Sequence, residues 1–363
     1  MQMILRNKTI KFLTIVLLSF ILLFSFTAST ANSITLGDVN NDGRINVQDV
    51  TLVMKHILGL ETLTIEQQEA ADVNGDGVID VQDATLLMQY LFTMPYSTYN
   101  LIVHFIDVGQ GDAIFLQTIE KSIDPSLVIL GESVVQNILI DGGNRGDEVV
   151  NYLQDLDVDN LDLVIGTHPH ADHIGGLINV MEALTVKEII DPGVFHTTIT
   201  YEDYLDIIDE KDIIFTEGRA GMIRDLGGGA EMKIVHPVYP SSAHLNNASI
   251  VARVTFEQFS ILFTGDAESE AEIEMLDRDY TLKSTILKVG HHGSRTSTTQ
   301  PFLDAVSPEA AVIMCGRDNQ YGHPHEEILS KLTSAGIDIY RTDIHGTVVI
   351  TTDGVTYDVN TDF

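Results

Sequence analysis

Residues 166–176 read Gly-Thr-His-Pro-His-Ala-Asp-His-Ile-Gly-Gly, and no other stretch limits the fold of this chain as much. The run before them, Leu-Asp-Leu-Val-Ile at 161–165, is short and apolar and reads as a buried strand. After them Leu177, Val180, Met181 and Leu184 recur at helical spacing. His168, His170, Asp172 and His173 are therefore expected on a loop between a strand and a helix. Four potential ligands within six residues cannot spread apart. If the loop curls, His168 and His170 face one metal ion, and Asp172 and His173 face a second. Imidazole and carboxylate suit zinc, and also manganese or iron. Gly175 and Gly176 allow a tight turn where bulkier residues would clash.

The rest of the C-terminal part repeats this economy. Residues 101–116 read as strand, glycine turn, strand, and 137–143 as a strand ending in Asp141 and two glycines. Strands and helices then alternate, which is an α/β pattern. Ser-Ile-Leu-Phe-Thr-Gly-Asp at 260–266 is an apolar strand that projects Asp266 from its end, a good place for a carboxylate bridging two metals. Thr-Ile-Leu-Lys-Val-Gly-His at 285–291 repeats the device with His291. His292 follows, and Tyr-Gly-His-Pro-His at 321–325 adds His323 and His325.

These runs, with His-Phe-Ile-Asp-Val-Gly-Gln-Gly-Asp at 104–112, resemble the metallo-β-lactamase-fold hydrolases. The branch is that of the competence DNA-internalisation (ComEC-type) proteins. The resemblance implies a four-layer αβ/βα sandwich over residues 100–363, with the metal site at one sheet edge. It implies two divalent metals, zinc or alternatively manganese, held by His168, His170, Asp172, His173, Asp266 and His291. Asp172, His292, His323 and His325 are the expected catalytic residues, the histidines protonating a leaving group or binding phosphate. One position departs from the wider superfamily. Asn247 stands where a third first-site His is usual, with His236 and His244 as nearby substitutes, so the first metal is expected to be held more weakly.

The N-terminal part contains a duplication at an offset of 34 residues, 38–60 against 72–94, each copy opening on a matching stretch, 38–49 and 72–83. Both stretches are twelve-residue calcium loops. Oxygens come from Asp38, Asn40, Asp42, Asn46 and Asp49, then from Asp72, Asn74, Asp76, Asp80 and Asp83, with the carbonyls of Arg44 and Val78 at position 7. Each loop feeds an amphipathic helix, with Val50, Val53, Ile57 and Leu58, then Ala84, Leu87 and Leu91, on the packed side. Position 12 is Asp rather than Glu, and Val-Gln-Asp recurs in both copies. These features resemble a type I dockerin at residues 36–95, small and all-α. The resemblance implies two calcium ions and a cohesin partner on a scaffold protein, often of a cellulosome. Val47, Gln48, Val81 and Gln82 stand at the positions that choose the cohesin, and the repeat would allow either of two orientations.

Arg6, Lys8 and Lys11, an apolar run at 12–26 and small residues at 28–31 read as a secretory signal peptide over 1–31, with an uncleaved anchor as the alternative. Residues 96–99 are expected to be a linker. The single cysteine, Cys315, lies in an apolar run and excludes an internal disulfide. The formal net charge of −33 counts against contact-rich nucleic-acid binding. Three functions remain open. The first is a secreted phosphodiesterase or nuclease using a metal-bound hydroxide. The second is hydrolysis of an ester, lactone, thioester or β-lactam within a polysaccharide-degrading complex. The third is a non-catalytic metal-binding subunit.

Overall fold

The computed structural model describes residues 35–93, 96–124, 129–278 and 280–363. The expected signal segment, 1–31, lies outside them. The chain divides into two units, with the break between Pro95 and Tyr96.

The N-terminal unit carries α1 (Val47–Ile57), α2 (Ile65–Ala71) and α3 (Val81–Thr93). The duplicated loops lead into α1 and α3 and are wired alike. Asp38 accepts from the amides of Asp42 and Gly43 at 3.1 and 2.9 Å, and Asp72 accepts from Asp76 and Gly77 at the same two distances. Asp49 accepts from Val39 and Asn46, and Asp83 from Val73 and Asp80. Each of these buried carboxylates thus caps the start of its helix and ties back the start of its loop. Val39, Val50, Val53, Leu63, Ala71, Ala84 and Leu87 pack as one core. Leu58, expected on the packed side of α1, is exposed because the helix has ended by then.

The second unit holds two large sheets. The first runs in the order β17-β16-β1-β2-β3-β5-β7-β8. These are β1 (Tyr96–Phe105), β2 (Ile114–Asp124), β3 (Ile129–Ile140), β5 (Leu163–Ile165), β7 (Glu188–Asp191), β8 (Ile214–Glu217), β16 (Val348–Thr352) and β17 (Tyr357–Thr361). Residues 96–99, expected to be a linker, belong to β1, where backbone pairing with β2 continues to Tyr96. The second sheet runs β15-β14-β13-β12-β11-β10-β9. Its strands are β9 (Ile223–Asp225), β10 (Ala230–His236), β11 (Val251–Phe256), β12 (Phe259–Phe263), β13 (Ile286–Lys288), β14 (Ala310–Ile313) and β15 (Asp338–Arg341). A small pair, β4 (Asn160–Leu161) and β6 (Thr185–Val186), stands apart.

The core fixes the layering. Ile138, Ile140 and Ile165 of the first sheet pack against Ile261, Phe263 and Val312 of the second. Leu139 and Val164 face the other way, onto α4 (Glu148–Asp155), α5 (Ala171–Ala183) and α6 (Ile199–Glu210). Leu262, Leu287 and Ala311 likewise face α7 (Ser269–Leu276), α8 (Gln300–Val306) and α9 (Glu326–Ser334). Strands buried on both faces explain the unbroken apolar runs. The result is the expected helix–sheet–sheet–helix sandwich. β3, β5 and β7 are parallel, as are β12, β13 and β14. Ligand-bearing residues follow the carboxyl ends of such strands.

Candidate metal centre

After β5 the chain is caught by Asp141, at the end of β3. The amide and hydroxyl of Thr167 donate to its carboxylate at 2.8 and 2.7 Å. His168 follows, then His170, the residue before α5. Asp172 and His173 lie in the first turn of that helix, not on the loop the sequence suggests. The glycine pair allows this. A Cβ on Gly176 would stand 1.9 Å from the carbonyl of Gly142, so only glycine lets α5 press onto residues 142–145.

Two sets of side chains converge. His168, His170 and Asp266 form one, and Asp172, His173 and His292 the other, with ligand atoms within 4.8 Å of one another. Asp266 faces both. Its Oδ1 is 3.3 Å from His173 Nε2 and 3.5 Å from His292 Nε2, and its Oδ2 is 3.8 Å from His168 Nε2. His173 Nε2, His292 Nε2 and Asp266 Oδ1 are buried and have no hydrogen-bond partner in the protein. Buried polar atoms seldom stay unpaired, and imidazole with carboxylate is a zinc or manganese donor set. The residues fit divalent cations.

The electrostatics agree. Burial opposes charge on His292, but Asp266 and Asp112 outweigh it and push its pKa up to about 9. Burial also opposes charge on Asp266, yet His292 and His173 hold it well below the usual carboxylate range. Burial, helped by His173, holds His168 neutral. Without cations His173 and His292 keep protons that balance the carboxylates, and cation binding would release them.

His292, not His291, belongs to the second set. His291 and His292 both take left-handed backbone angles, φ 47° and 54°. Non-glycine residues rarely do so, and the double turn swings His292 inward. Its Nδ1 lies 3.0 Å from the carbonyl of Met314. His291 belongs to neither set: it sets Nδ1 3.1 Å from Glu268 and lines the cleft, with Nε2 3.8 Å from Asp266 Oδ2. Asn247 is also turned away. Its oxygen accepts from the amide of Glu268, and its nitrogen donates to Glu270. Asn246 lines the cleft in its place, with a buried and unpartnered Oδ1. His236 pairs with the carbonyl of Ser249 and faces Glu274, and His244 does not line the cleft. His323 lines it. Burial first, then His292 and His291, hold His323 down to about 4. His325 accepts from the amide of Arg295 and does not line the cleft.

Sequence reasoning assigned no role to the supports beneath. Asp141 lies 2.7 Å from His173 Nδ1. Asp112 lies 3.3 Å from His292 Nδ1 and forms an ion pair with Lys288, both fully buried. Lys288 Nζ also donates to the carbonyl of Gly265 at 3.1 Å, next to Asp266. A lysine inside the apolar strand β13 was the available signal. Asp141, at a strand end like Asp266, was another.

Comparison with known proteins agrees with this geometry. The metallo-beta-lactamase superfamily model matches residues 126–317, so the chain belongs to that superfamily and is a metallo-hydrolase by fold. Residues 36–92 match the dockerin type I domain. Among curated proteins, ComE operon protein 3 of Bacillus subtilis (strain 168) is 31% identical over 266 residues, 71% of this chain and 34% of that protein. Competence protein ComA of Neisseria gonorrhoeae is 27% identical over 244 residues, 66% of this chain and 30% of that one. The chain thus spans about a third of the length of these relatives, and its hydrolase unit is of the ComEC type. Among solved structures, CmlA, a diiron beta-hydroxylase from Streptomyces venezuelae, aligns with TM-score 0.43 at 13% identity, over 82% of this chain and 62% of that one. The superfamily binds divalent metals, and dockerins bind calcium and generally pair with cohesins. Among the described residues no helix is long and apolar enough to cross a membrane.

Proposed function

We propose that this protein is a secreted metal-dependent phosphodiesterase or nuclease. Its calcium-loaded dockerin would hold it to a cohesin of a scaffold, as in a cellulosome. The observation that carries the catalytic half is Asp266, one carboxylate facing two adjacent ligand sets. His168, His170 and Asp266 would hold the first cation, with Asn246 as a weak further ligand. Asp172, His173, His292 and Asp266 would hold the second. When bound, two such cations supply an activated water and offset charge on the attacking and leaving oxygens of a phosphodiester. Asp141 takes the Nδ1 proton of His173, and Met314 O takes that of His292, so both Nε2 atoms stay free as donors. Glu268 orients His291 in the same way and leaves its Nε2 at the cleft, 3.8 Å from Asp266 Oδ2 and suited to pass a proton to the leaving oxygen. His323, kept neutral, is a hydrogen-bonding partner for the phosphoryl group.

In the dockerin, the ten loop carboxylates and amides with the carbonyls of Arg44 and Val78 would bind two calcium ions. Val47 and Val81 are exposed at 66% and 60%, and with Gln48 and Gln82 they offer the cohesin two equivalent faces. The names of two curated relatives, Competence protein ComA and Recombination protein 2, favour a nucleic-acid substrate. The formal charge of −33 favours the second reading, an ester or lactone. Hydrolysis of bis(p-nitrophenyl) phosphate and of single-stranded DNA with zinc or manganese, each lost in chelator, is the expected result. Cleavage of an acyl ester or lactone alone would overturn the phosphodiester reading.

A further inference from the structure

Beside the cleft of about 400 Å³ above the metal centre lies a second of about 320 Å³. The two share Gln110, Ala171, Asp172 and Tyr321, so one ligand can occupy both. The second cleft is walled by the amides of Gln110, Asn144, Asn319 and Gln320 and by the ring of Tyr321. Tyr321 is 55% exposed. An exposed aromatic ring is often merely a mobile surface group. This one is not left to swing.

Asn319 fastens its loop. The Asn319 oxygen accepts from the amides of Tyr321 and His323, and its nitrogen donates to the carbonyls of Gly316 and His323. Gln110 accepts from the amide of Gly316 and pins the same loop to the turn after β1. The Tyr321 ring stacks on His323, with centroids 5.6 Å apart and planes 23° apart. One aromatic face is thus held at the junction of the clefts. Hydrogen-bonding groups remain for a ligand. Gln110 uses its oxygen on the loop and keeps its NH2, Asn144 uses its NH2 on Gln110 and keeps its oxygen, and Gln320 keeps both. Among the described residues, those lining the two clefts include no lysine or arginine.

We infer that Tyr321 and this amide-lined cleft form a subsite for a nucleobase attached to the scissile phosphate. The inference rests on the phosphodiesterase reading. A flat, neutral ring with donors and acceptors on its edge suits an aromatic platform beside uncommitted amides. A long phosphate backbone does not, since it needs cations to replace its counterions. The subsite would favour a single base next to the cleaved bond, with little preference among bases, because stacking on an aromatic ring is sequence-tolerant.

The test uses the metal-loaded full chain. Thymidine 5′-(p-nitrophenyl phosphate) and its abasic analogue, 1,2-dideoxyribose 5-(p-nitrophenyl phosphate), share the reacting group and the sugar and differ in the base. The expected preference, as a ratio of kcat/KM, is about tenfold or more for the thymidine ester, given the usual strength of base stacking. Tyr321→Ala should cut that ratio about tenfold, and Tyr321→Trp should keep it. Equal hydrolysis of both esters, or a ratio unmoved in Tyr321→Ala, overturns the subsite while phosphodiester hydrolysis stands. Cleavage of neither ester overturns the parent reading and this one with it. Inhibition by cellobiose that disappears in Tyr321→Ala, without nucleoside preference, overturns the base in favour of a sugar.

Discussion

The imidazole Nε2 of His292 stands 3.5 Å from the carboxylate of Asp172, across the space where a second cation would sit. Its neighbour His291 lies in neither ligand set, with Nδ1 on Glu268 and Nε2 3.8 Å from Asp266 Oδ2. The two histidines therefore have separable tasks. His292→Ala should remove one equivalent of tightly held metal, read by atomic emission after dialysis. His291→Ala should keep its metal and lose on the order of a hundredfold in turnover, the usual worth of a positioned general acid. The reverse pattern would restore His291 as the ligand.

Lys288 and Asp112 form a buried ion pair under the centre. Lys288→Met leaves the buried Asp112 with only His292 and His173 to offset its charge and should destabilise the chain, by up to about 3–5 kcal/mol. Replacing both, as Asp112→Asn with Lys288→Met, should recover most of that loss. Second-metal affinity should stay about 10- to 100-fold weaker, because His292 has lost an orienting partner. Denaturant unfolding in chelator and metal competition read the two effects separately.

Asp191, at the end of β7, is almost wholly buried, and burial raises its pKa to about 7. The folded chain holds a proton there that the unfolded chain releases near pH 4. Stability from this group is full below about 4 and is lost as pH rises through about 7. Between pH 5 and pH 9 the loss is on the order of 2–3 kcal/mol. Asp191→Asn keeps the size and cannot ionise, so its denaturant midpoint should fall less over that range than the parent's. Parallel curves would contradict the assignment.

The duplicated loops predict dual docking. Binding of the full chain to a cohesin should vanish in calcium chelator and survive alteration of Val47 and Gln48 alone. It should be lost when Val81 and Gln82 are altered as well. Surface plasmon resonance would measure all three.

Much of this centre was legible in the sequence because its spacing is local. His168, His170, Asp172 and His173 lie within six residues, and a strand before them with glycines after them leaves little choice. Asp266 was legible because an apolar strand ends beside it. His292 was not, since inward and outward were exchanged by left-handed angles at 291 and 292 that no residue type there demands. Asn246 and Asn247 exchanged places for a similar reason, a short 3-10 turn at 246–248. Asp112 and Lys288 are 176 positions apart in the chain (288 − 112), and only the packing of the two sheets brings them together. The strand at 96–99 was hidden by a Pro-Tyr-Ser-Thr-Tyr stretch that reads as a linker.

Asp266 is proposed to serve two cations at once. The most direct test is hydrolysis of bis(p-nitrophenyl) phosphate by the manganese-loaded parent and by Asp266→Asn, with circular dichroism to verify the fold. The predicted result is an unchanged spectrum and a loss of about a hundredfold or more, because the amide bridges poorly. A variant that folds and keeps its rate within about threefold of the parent, inside the scatter expected for a single contact that carries no charge in the reaction, would contradict the account.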